Sequence, residues 1–200
     1  MMEKAFDLAS KIQSDDARVG ILSAFVPYLD GQKKENVIEN TLYLAFKIKD
    51  VSKRSQALSS IVPYLDDRRK EEMTKKALYA AYMIENDYGR SMALADIAQN
   101  LDEQKKEEMI EKAFKAACMI NFDVTRLYAL LNIAQNLDGQ RKEEIMEKAF
   151  DVAFNITDFQ LGSKADALFA IAPHLNGERK KERIEKALDL AFKMAVTNPS

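Results

Sequence analysis

The chain has 200 residues, a formal net charge of -2, one histidine and one cysteine, and 47% of its residues are hydrophobic. This composition is globular, and six glycines with four prolines are too few for a many-stranded fold, so long helices are expected. The charge gives no general attraction for nucleic acid or anionic membranes, and no apolar run is long enough to span a bilayer. The first residues lack the basic-then-apolar pattern of a signal peptide, so we expect a cytoplasmic protein.

One motif occurs five times along the chain. Its copies are Val-Pro-Tyr-Leu-Asp at 26–30 and 62–66, Ile-Ala-Gln-Asn-Leu-Asp at 97–102 and 133–138, and Ile-Ala-Pro-His-Leu-Asn at 171–176. The leucines of these copies are separated by 36, 36, 36 and 38 residues, which is the length range of helix-pair repeats. The longer last step predicts a two-residue insertion near 158–163.

Each copy contains two apolar patterns with helical spacings of three and four residues, which we name helix A and helix B in chain order. The apolar pattern of helix A runs over 2–12, 38–48, 74–84, 110–120 and 146–156, and a trailing helix is predicted at 183–196. Helix B is predicted to begin near Ala17, Lys53, Gly89, Thr125 and Lys164.

These helices predict an all-α fold with a single domain over 1–200. The repeats run over about 2–36, 37–72, 73–108, 109–144 and 145–182. One helix pair cannot bury its apolar faces alone, so neighbouring pairs are expected to stack. The fold class is therefore an α-α superhelix, a right-handed solenoid of five two-helix repeats of about 36 residues with a trailing helix.

The turns carry acidic and basic residues at regular positions. An N-cap is expected before each helix A, because a side-chain oxygen there accepts from the free amides of the first turn. The predicted N-cap residues are Asp30, Asp66, Asp102 and Asp138, with Asn176 in the fifth copy. Helix B opens with a basic residue in each copy: Arg18, Arg54, Arg90, Arg126 and Lys164. Acids lie three or four residues upstream of the arginines, so we expect these charges to pair within the scaffold rather than to bind an acidic ligand.

The segment 48–61, Ile-Lys-Asp-Val-Ser-Lys-Arg-Ser-Gln-Ala-Leu-Ser-Ser-Ile, resembles the helix-B signature of HEAT repeats. In that family an aspartate in the inter-helix turn and a basic residue early in helix B tie successive repeats together. The matching residues here are Asp50 and Arg54. The period is also similar to that of tetratricopeptide arrays. This HEAT-like resemblance implies an α-solenoid that presents a surface to other macromolecules.

No catalytic or metal-binding group of residues stands out. His174 is the only histidine, and the chain has no Cys/His grouping and no glycine-rich phosphate loop. Cys118 is expected to be a small hydrophobe that is buried or half-buried. It belongs to a column of helix A in which only the first member is small and polar, as in a capping repeat: Ser10, Phe46, Tyr82, Cys118, Phe154 and Phe192. We expect a protein that is not an enzyme and that uses no metal ion and no cofactor.

The face of helix B opposite its core stripe is predicted to bind the partner. Two columns on this face differ between copies, namely Gly20, Gln56, Met92, Tyr128 and Asp166, and Ser23, Ser59, Ala95, Leu131 and Phe169. The apolar set suited to a partner helix or an extended peptide is Met92, Tyr128, Leu131 and Phe169. The alternative is that these side chains pack under neighbouring helices. The outward face of helix A, in contrast, is mostly Lys and Glu.

The function predicted from the sequence is a non-catalytic scaffold or adaptor that binds a protein or peptide through the helix-B face. The alternative is a helical repeat protein that binds single-stranded RNA or other nucleic acid, which the nearly uncharged columns disfavour. A homo-oligomer that forms through the trailing helix is a further prediction. That helix keeps Leu188, Leu190 and Phe192, and an exposed apolar face of this kind often marks an interface.

Overall fold

The computed structural model describes residues 11–156 and, further along the chain, residues 168, 171, 181, 182, 184–186, 188 and 189. Within 11–156 the helices are α1 Asp15–Phe25, α2 Gly31–Lys47, α3 Val51–Ile61, α4 Asp67–Tyr82, α5 Asp87–Ala98, α6 Glu103–Cys118, α7 Asp123–Gln135 and α8 Gly139–Asn155. Single turns of 3-10 helix, Val26–Tyr28 and Val62–Tyr64, follow α1 and α3. None of the helices described here has both the length and the hydropathy that crossing a bilayer requires.

The helices alternate between the two predicted kinds. Helix A of successive copies is α2, α4, α6 and α8, and helix B is α1, α3, α5 and α7. Each of these A helices begins directly after its predicted aspartate. Each B helix begins two residues earlier than predicted, at an aspartate in α1, α5 and α7 and directly after Asp50 in α3.

The predictions for the ends of the chain lie mostly outside the described residues. They include the first helix A at 2–12 and the insertion near 158–163. Of the trailing helix, residues 184–186, 188 and 189 are helical, and the Leu188 side chain is 53% exposed. An exposed leucine is compatible with assembly through this helix, but the homo-oligomer stays a prediction.

The chain divides into two compact units, Met1–Glu111 and Lys112–Ser200, with the boundary inside α6. In the first unit α1 and α3 each pack most extensively against the A helix that follows, and the B helices also pack against one another. In the second unit α7 packs in the same way against α8. The fold is thus all-α, with helices packed in consecutive pairs, while the single domain and the right-handed superhelix stay predictions.

The core consists of the apolar columns that recur in every copy. The leucine column of helix B is buried at Leu22, Leu58, Leu94, Leu130 and Leu168. The alanine column of helix A is buried at Ala45, Ala81, Ala117 and Ala153. A methyl side chain lets a neighbouring helix approach closely and a leucine fills the space beside it, so these columns position the turns and the surfaces described next.

Candidate binding surfaces

The turn from helix A to helix B is held in the same way in four copies. An arginine in the first turn of helix B donates to the carbonyl oxygen of the residue six positions earlier, which after α2, α4 and α6 lies just beyond the end of helix A. The pairs are Arg18 with Ile12, Arg54 with Ile48, Arg90 with Ile84 and Arg126 with Ile120, at N to O distances of 2.5 to 3.3 Å. The cation therefore satisfies a carbonyl that the helix C-terminus leaves without an intrahelical partner.

Aspartates support three of these four arginines. Arg18, Arg90 and Arg126 pair with carboxylates three residues earlier, those of Asp15, Asp87 and Asp123. Asp50 instead caps α3, where its Oδ1 accepts from the backbone N–H of Lys53 at 2.9 Å. These contacts lie within one repeat, whereas the resemblance to HEAT repeats implied a tie between successive repeats. The arginines serve the turns, as the scaffold interpretation predicted, and Lys164 lies outside the described residues.

The turn from helix B to helix A contains the predicted aspartate cap in two of its four described copies. Asp66 accepts from the backbone N–H of Arg69, and Asp102 accepts from that of Lys105, each at 3.0 Å. Each backbone hydrogen bond, supported by the side chain of the same donor residue, lowers the pKa of the aspartate that accepts it. The prediction is confirmed for these two residues.

The aspartate caps of the other two copies were predicted wrongly. Asp30 and Asp138 occupy the N-cap position, but neither side chain accepts a capping hydrogen bond. A glycine with positive φ follows each of them, Gly31 at 52° and Gly139 at 58°. This left-handed conformation, which glycine adopts without steric cost, changes the entry of the chain into the helix, so the carboxylate does not meet the first-turn amides.

Successive repeats of the first unit are connected by polar side chains on both helix sets. The contacts are Lys53 with Asp16 at 2.8 Å, Ser23 with Ser60 at 3.1 Å, Asn100 with the Ser59 hydroxyl at 3.2 Å, and Arg69 with Glu35 at 3.0 Å. The first three join residues on or beside the B helices, and the last joins α2 to α4. Short serine side chains allow close approach of the B helices, while the A helices are bridged by long side chains.

The two predicted columns of helix B differ in burial. In the first column Gly20, Gln56 and Tyr128 are exposed and Met92 is half-buried. In the second column Ser23, Ser59 and Ala95 are buried, and Leu131 is half-buried. Most of the second column therefore packs between neighbouring helices, and its interpretation as a ligand-facing column is wrong for those three buried residues.

The proposed binding set itself is only partly described. Met92 lies in the first unit, while Tyr128, 60% exposed, and Leu131 lie in the second. Phe169 lies outside the described residues. A common apolar surface formed by Met92, Tyr128, Leu131 and Phe169 therefore stays a prediction.

A surface cleft lies beside Met92, between α3 and α5, and we name it the B-cleft. Its volume is about 370 Å³ and its lining residues are Ser52, Gln56, Asn86, Tyr88, Gly89, Met92, Ala93 and Asp96. Met92, Tyr88 and Ala93 supply apolar surface, and the side chains of Ser52, Gln56, Asn86 and Asp96 supply hydrogen-bonding groups. Asp96 is the one charged residue in this lining, so the B-cleft offers no cation to a phosphate.

Helix A carries exposed aromatic residues that the sequence reasoning missed. The exposed fractions are 58% for Tyr43, 44% for Phe46, 68% for Tyr79 and 47% for Tyr82. The description of this face as mostly Lys and Glu was therefore wrong for α2 and α4. The signal was present as two aromatic pairs with a spacing of three residues, one repeat apart.

The burial of Cys118 was also predicted wrongly. Cys118 is exposed, and so are Phe46, Tyr82 and Phe154. Each of these residues lies in the last turn of an A helix. In the first unit these side chains are exposed because α2 packs against α4 far less than neighbouring B helices pack against one another.

The gap between α2 and α4 forms a second cleft, which we name the A-cleft. Its volume is about 360 Å³ and its lining residues are Phe46, Arg54, Leu58, Lys75, Lys76, Tyr79 and Ala80. Leu58 and Ala80 are each 1% exposed and form its apolar floor. The Lys76 Nζ lies 4.9 Å from the centre of the Phe46 ring, a cation–π contact across the gap. The lining contains three cations and no carboxylate.

The lysines of the A-cleft are paired along α4. Lys75 donates to Glu71 and Lys76 donates to Glu72, each at 2.7 Å. These hydrogen bonds from the lysines lower the pKa of both glutamates. All four side chains are at least 45% exposed, so water screens the pairs and each contributes little to stability.

A larger groove of about 670 Å³ lies between α4 and the turn that follows α5. Its charged lining residues are Asp67, Glu71, Asp102, Lys70, Lys75 and Lys105. Two of the lysines already pair with acids of the same groove, Lys75 with Glu71 and Lys105 with Asp102. Equal numbers of acids and bases give this groove no preference for a ligand of either charge. The described part of the chain also has no group of three or more His, Cys, Asp or Glu residues that could hold a metal ion.

The helices and turns together define an all-α protein of consecutively paired helices. No protein-family model matches the chain, and no curated protein matches it. Among solved structures it is similar to Ton1535 from Thermococcus onnurineus NA1. That similarity has a TM-score of 0.61 and 18% sequence identity, and it covers 99% of this chain and 73% of that chain. At this identity the likeness concerns the fold alone.

Proposed function

We propose that this protein is a non-catalytic scaffold or adaptor, an α-α superhelix of HEAT-like repeats that binds a protein or peptide along its B helices. The support is a difference between two classes of position. Positions that repeat, such as the turn arginines and the leucine column, hold the helices together. Positions that differ between copies include Gln56, Met92 and Tyr128, which lie on the surface of the B helices.

The B-cleft is the observation that carries this proposal. Met92 is half-buried in it and Tyr88 is 38% exposed, so a partner side chain can cover apolar surface that the fold leaves open to water. Ser52 and Gln56 supply hydrogen-bonding groups on the opposite wall. Apolar anchors with a few polar groups are the usual composition of a site for a peptide or partner helix.

Charge favours a protein partner over the nucleic-acid alternative. Proteins that bind single-stranded nucleic acid combine stacking side chains with a positively charged groove along the backbone. The B-cleft contains Asp96 and no basic residue, so its local field opposes a phosphate. A peptide that donates hydrogen bonds fits this lining better.

The experiment is a selection of short peptides by phage display on the purified protein, followed by titration of the selected peptides. Met92→Gln keeps the side-chain length and removes the apolar end, and glutamine stands at this position in the preceding copy as Gln56. We expect this substitution to lower the affinity of peptides that bind at the B-cleft about tenfold. The matched control is Met83→Gln, at a methionine that is 53% exposed just after α4.

Two results would contradict the proposal. One is a set of selected peptides that bind wild type and Met92→Gln equally. The other is tight, salt-sensitive binding of mixed single-stranded RNA that Met92→Gln weakens, which would assign the B helices to nucleic acid.

A further inference from the structure

We propose that the A-cleft binds an acidic peptide segment that inserts one apolar side chain between α2 and α4. This surface is separate from the B-cleft, because none of its lining residues lines that cleft. The inference therefore does not depend on the function proposed for the B helices.

The shape of the A-cleft suits a single apolar anchor. Leu58 and Ala80 close its floor and are shielded from water, while Phe46 and Tyr79 form walls that remain 44% and 68% exposed. A Leu or Phe side chain that enters would remove both walls and itself from water, which is the main favourable term in such binding. The volume of about 360 Å³ is at the small end for ligand sites and fits one or two side chains.

The charge of the lining selects an acidic partner. Arg54, Lys75 and Lys76 are three cations around an apolar floor, without a carboxylate in the lining. The pairs that Lys75 and Lys76 form with Glu71 and Glu72 are solvent-exposed, so an incoming carboxylate can share these lysines with little loss of stability. Carboxylates on both sides of an anchor residue would meet complementary charge.

Comparison between the copies shows that the positive charge of Lys75 is specific to one repeat. The position of Lys75 is occupied by glutamate in the other copies, at Glu39, Glu111, Glu147 and Glu185. The position of Tyr79 is Lys115 and Asp151 in the next two copies. Because the other helices form with glutamate, the scaffold does not require lysine at this position. A charge reversal in a single copy is the pattern expected of a residue that contacts a partner.

An extended polyanion fits the A-cleft less well than a short acidic segment. Glu71 and Glu72 lie on α4 one turn before the two lysines, so the positive field extends over a short distance only. A nucleic acid strand that follows the helix would meet these carboxylates, and the whole chain has a net charge of -2. A peptide with a few acids next to its anchor avoids them.

The test uses fluorescein-labelled nonapeptides with a central leucine and flanks of Glu and Asp, of Ser, or of Lys, titrated by fluorescence anisotropy at low salt. We expect the acid-flanked peptide to bind most tightly, and an acid-flanked peptide with a central serine to bind less tightly. Lys75→Glu, which introduces the residue of the other copies, should weaken the acid-flanked leucine peptide about tenfold. Phe46→Ser, the residue of the first copy at Ser10, should also weaken it.

Matched variants separate this site from general electrostatics and from the B-cleft. Lys33→Glu makes the same charge change near the start of α2, about 20 Å along the helix from Phe46, and should leave affinity unchanged. Met92→Gln should also leave it unchanged. Circular dichroism would show that each variant keeps its helix content.

Four results would overturn the inference. The first is equal affinity of Lys75→Glu and wild type for the acid-flanked leucine peptide. The second is an equal loss with Lys33→Glu, which would mean a nonspecific charge effect. The third is tighter binding of an oligouridylate that Lys75→Glu abolishes, which would assign the A-cleft to nucleic acid. The fourth is a loss of binding of the acid-flanked leucine peptide in Met92→Gln alone, which would leave the proposed function of the B helices intact.

Discussion

The two kinds of turn in this protein are built differently. The turn from helix A to helix B has the same arginine-to-carbonyl hydrogen bond in all four described copies. The turn from helix B to helix A has two forms, one capped by the side chain of Asp66 or Asp102 and one with a left-handed Gly31 or Gly139. The uniform turn relies on one repeated hydrogen bond, and the variable turn shows that different local chemistry can start the same kind of helix.

The largest predicted effect concerns the buried core that both kinds of turn connect to. Leu94 is 2% exposed on α5, and Leu94→Ala removes its packing and leaves a cavity. We expect the free energy of unfolding to fall by about 2 to 5 kcal/mol. Urea denaturation followed by circular dichroism measures it, and a loss below about 1 kcal/mol would contradict the burial of this column.

The second prediction breaks the uniform turn. Arg90→Ala removes the donor to the Ile84 carbonyl at 3.0 Å and the ion pair with Asp87, at a cost of about 1.5 to 3 kcal/mol. Arg54→Ala should cost less, because Asp50 caps α3 instead of pairing with this arginine. Thermal unfolding of both variants, with the exposed Arg68→Ala as control, tests this order. An unchanged melting temperature for Arg90→Ala would contradict the role of the arginine in the turn.

The third prediction sharpens the contrast between the two forms of the variable turn. Asp66→Ala removes a capping hydrogen bond and should cost about 1 kcal/mol. Asp30→Ala removes a side chain that makes no capping hydrogen bond, so its cost should be near zero. Denaturant melts of the two alanine variants measure the difference. Equal losses, or a larger loss at Asp30, would show that the caps are assigned incorrectly.

The smallest predicted effect concerns pH and the contact between α1 and α3. Hydrogen bonds from Lys53 and then Ser14 lower the pKa of Asp16 to about 2 from the ordinary value of 3.8. Because the pKa is lower in the folded state, this contact stabilises the fold above about pH 4 and is lost as the pH falls towards 2. Asp16→Asn removes the charge at every pH.

Unfolding of wild type and Asp16→Asn across this acidic range tests that prediction. The difference in stability between the two proteins should shrink as the pH falls. The difference should be small even above pH 4, because the pair is partly exposed and salt screens it. A difference that stays constant or grows towards low pH would contradict the assigned contact.

Much of the fold could be predicted because its signals are local. The period of the apolar residues predicted the alternation of A and B helices, and the aspartates predicted where the A helices begin. The lack of a capping hydrogen bond at Asp30 and Asp138 could not be inferred from the aspartates alone. The residue after the aspartate decides whether its side chain caps the helix. Gly31 and Gly139 adopt positive φ, whereas Asp67 and Glu103 follow the aspartates that do cap.

The surfaces were harder to predict because variation between copies has two causes. Ser23, Ser59 and Ala95 differ between copies yet lie buried, since a contact between neighbouring B helices accepts several small residues. In the sequence Phe46 and Tyr79 do not differ from buried aromatic residues of a helix. They are exposed because α2 and α4 are separated by a gap. The spacing between neighbouring A helices is a tertiary property that the sequence period does not contain.

The central claim is that repeated positions hold the scaffold and that differing positions bind the partner. Arg90 and Met92 lie two residues apart on α5 and represent these two classes. The most direct measurement is the affinity of a phage-selected peptide that binds at the B-cleft. It is titrated against Arg90→Ala and Met92→Gln at a temperature well below their melting temperatures. We predict unchanged affinity for Arg90→Ala and about tenfold weaker binding for Met92→Gln. Unchanged binding by Met92→Gln together with loss of binding by Arg90→Ala would contradict the claim.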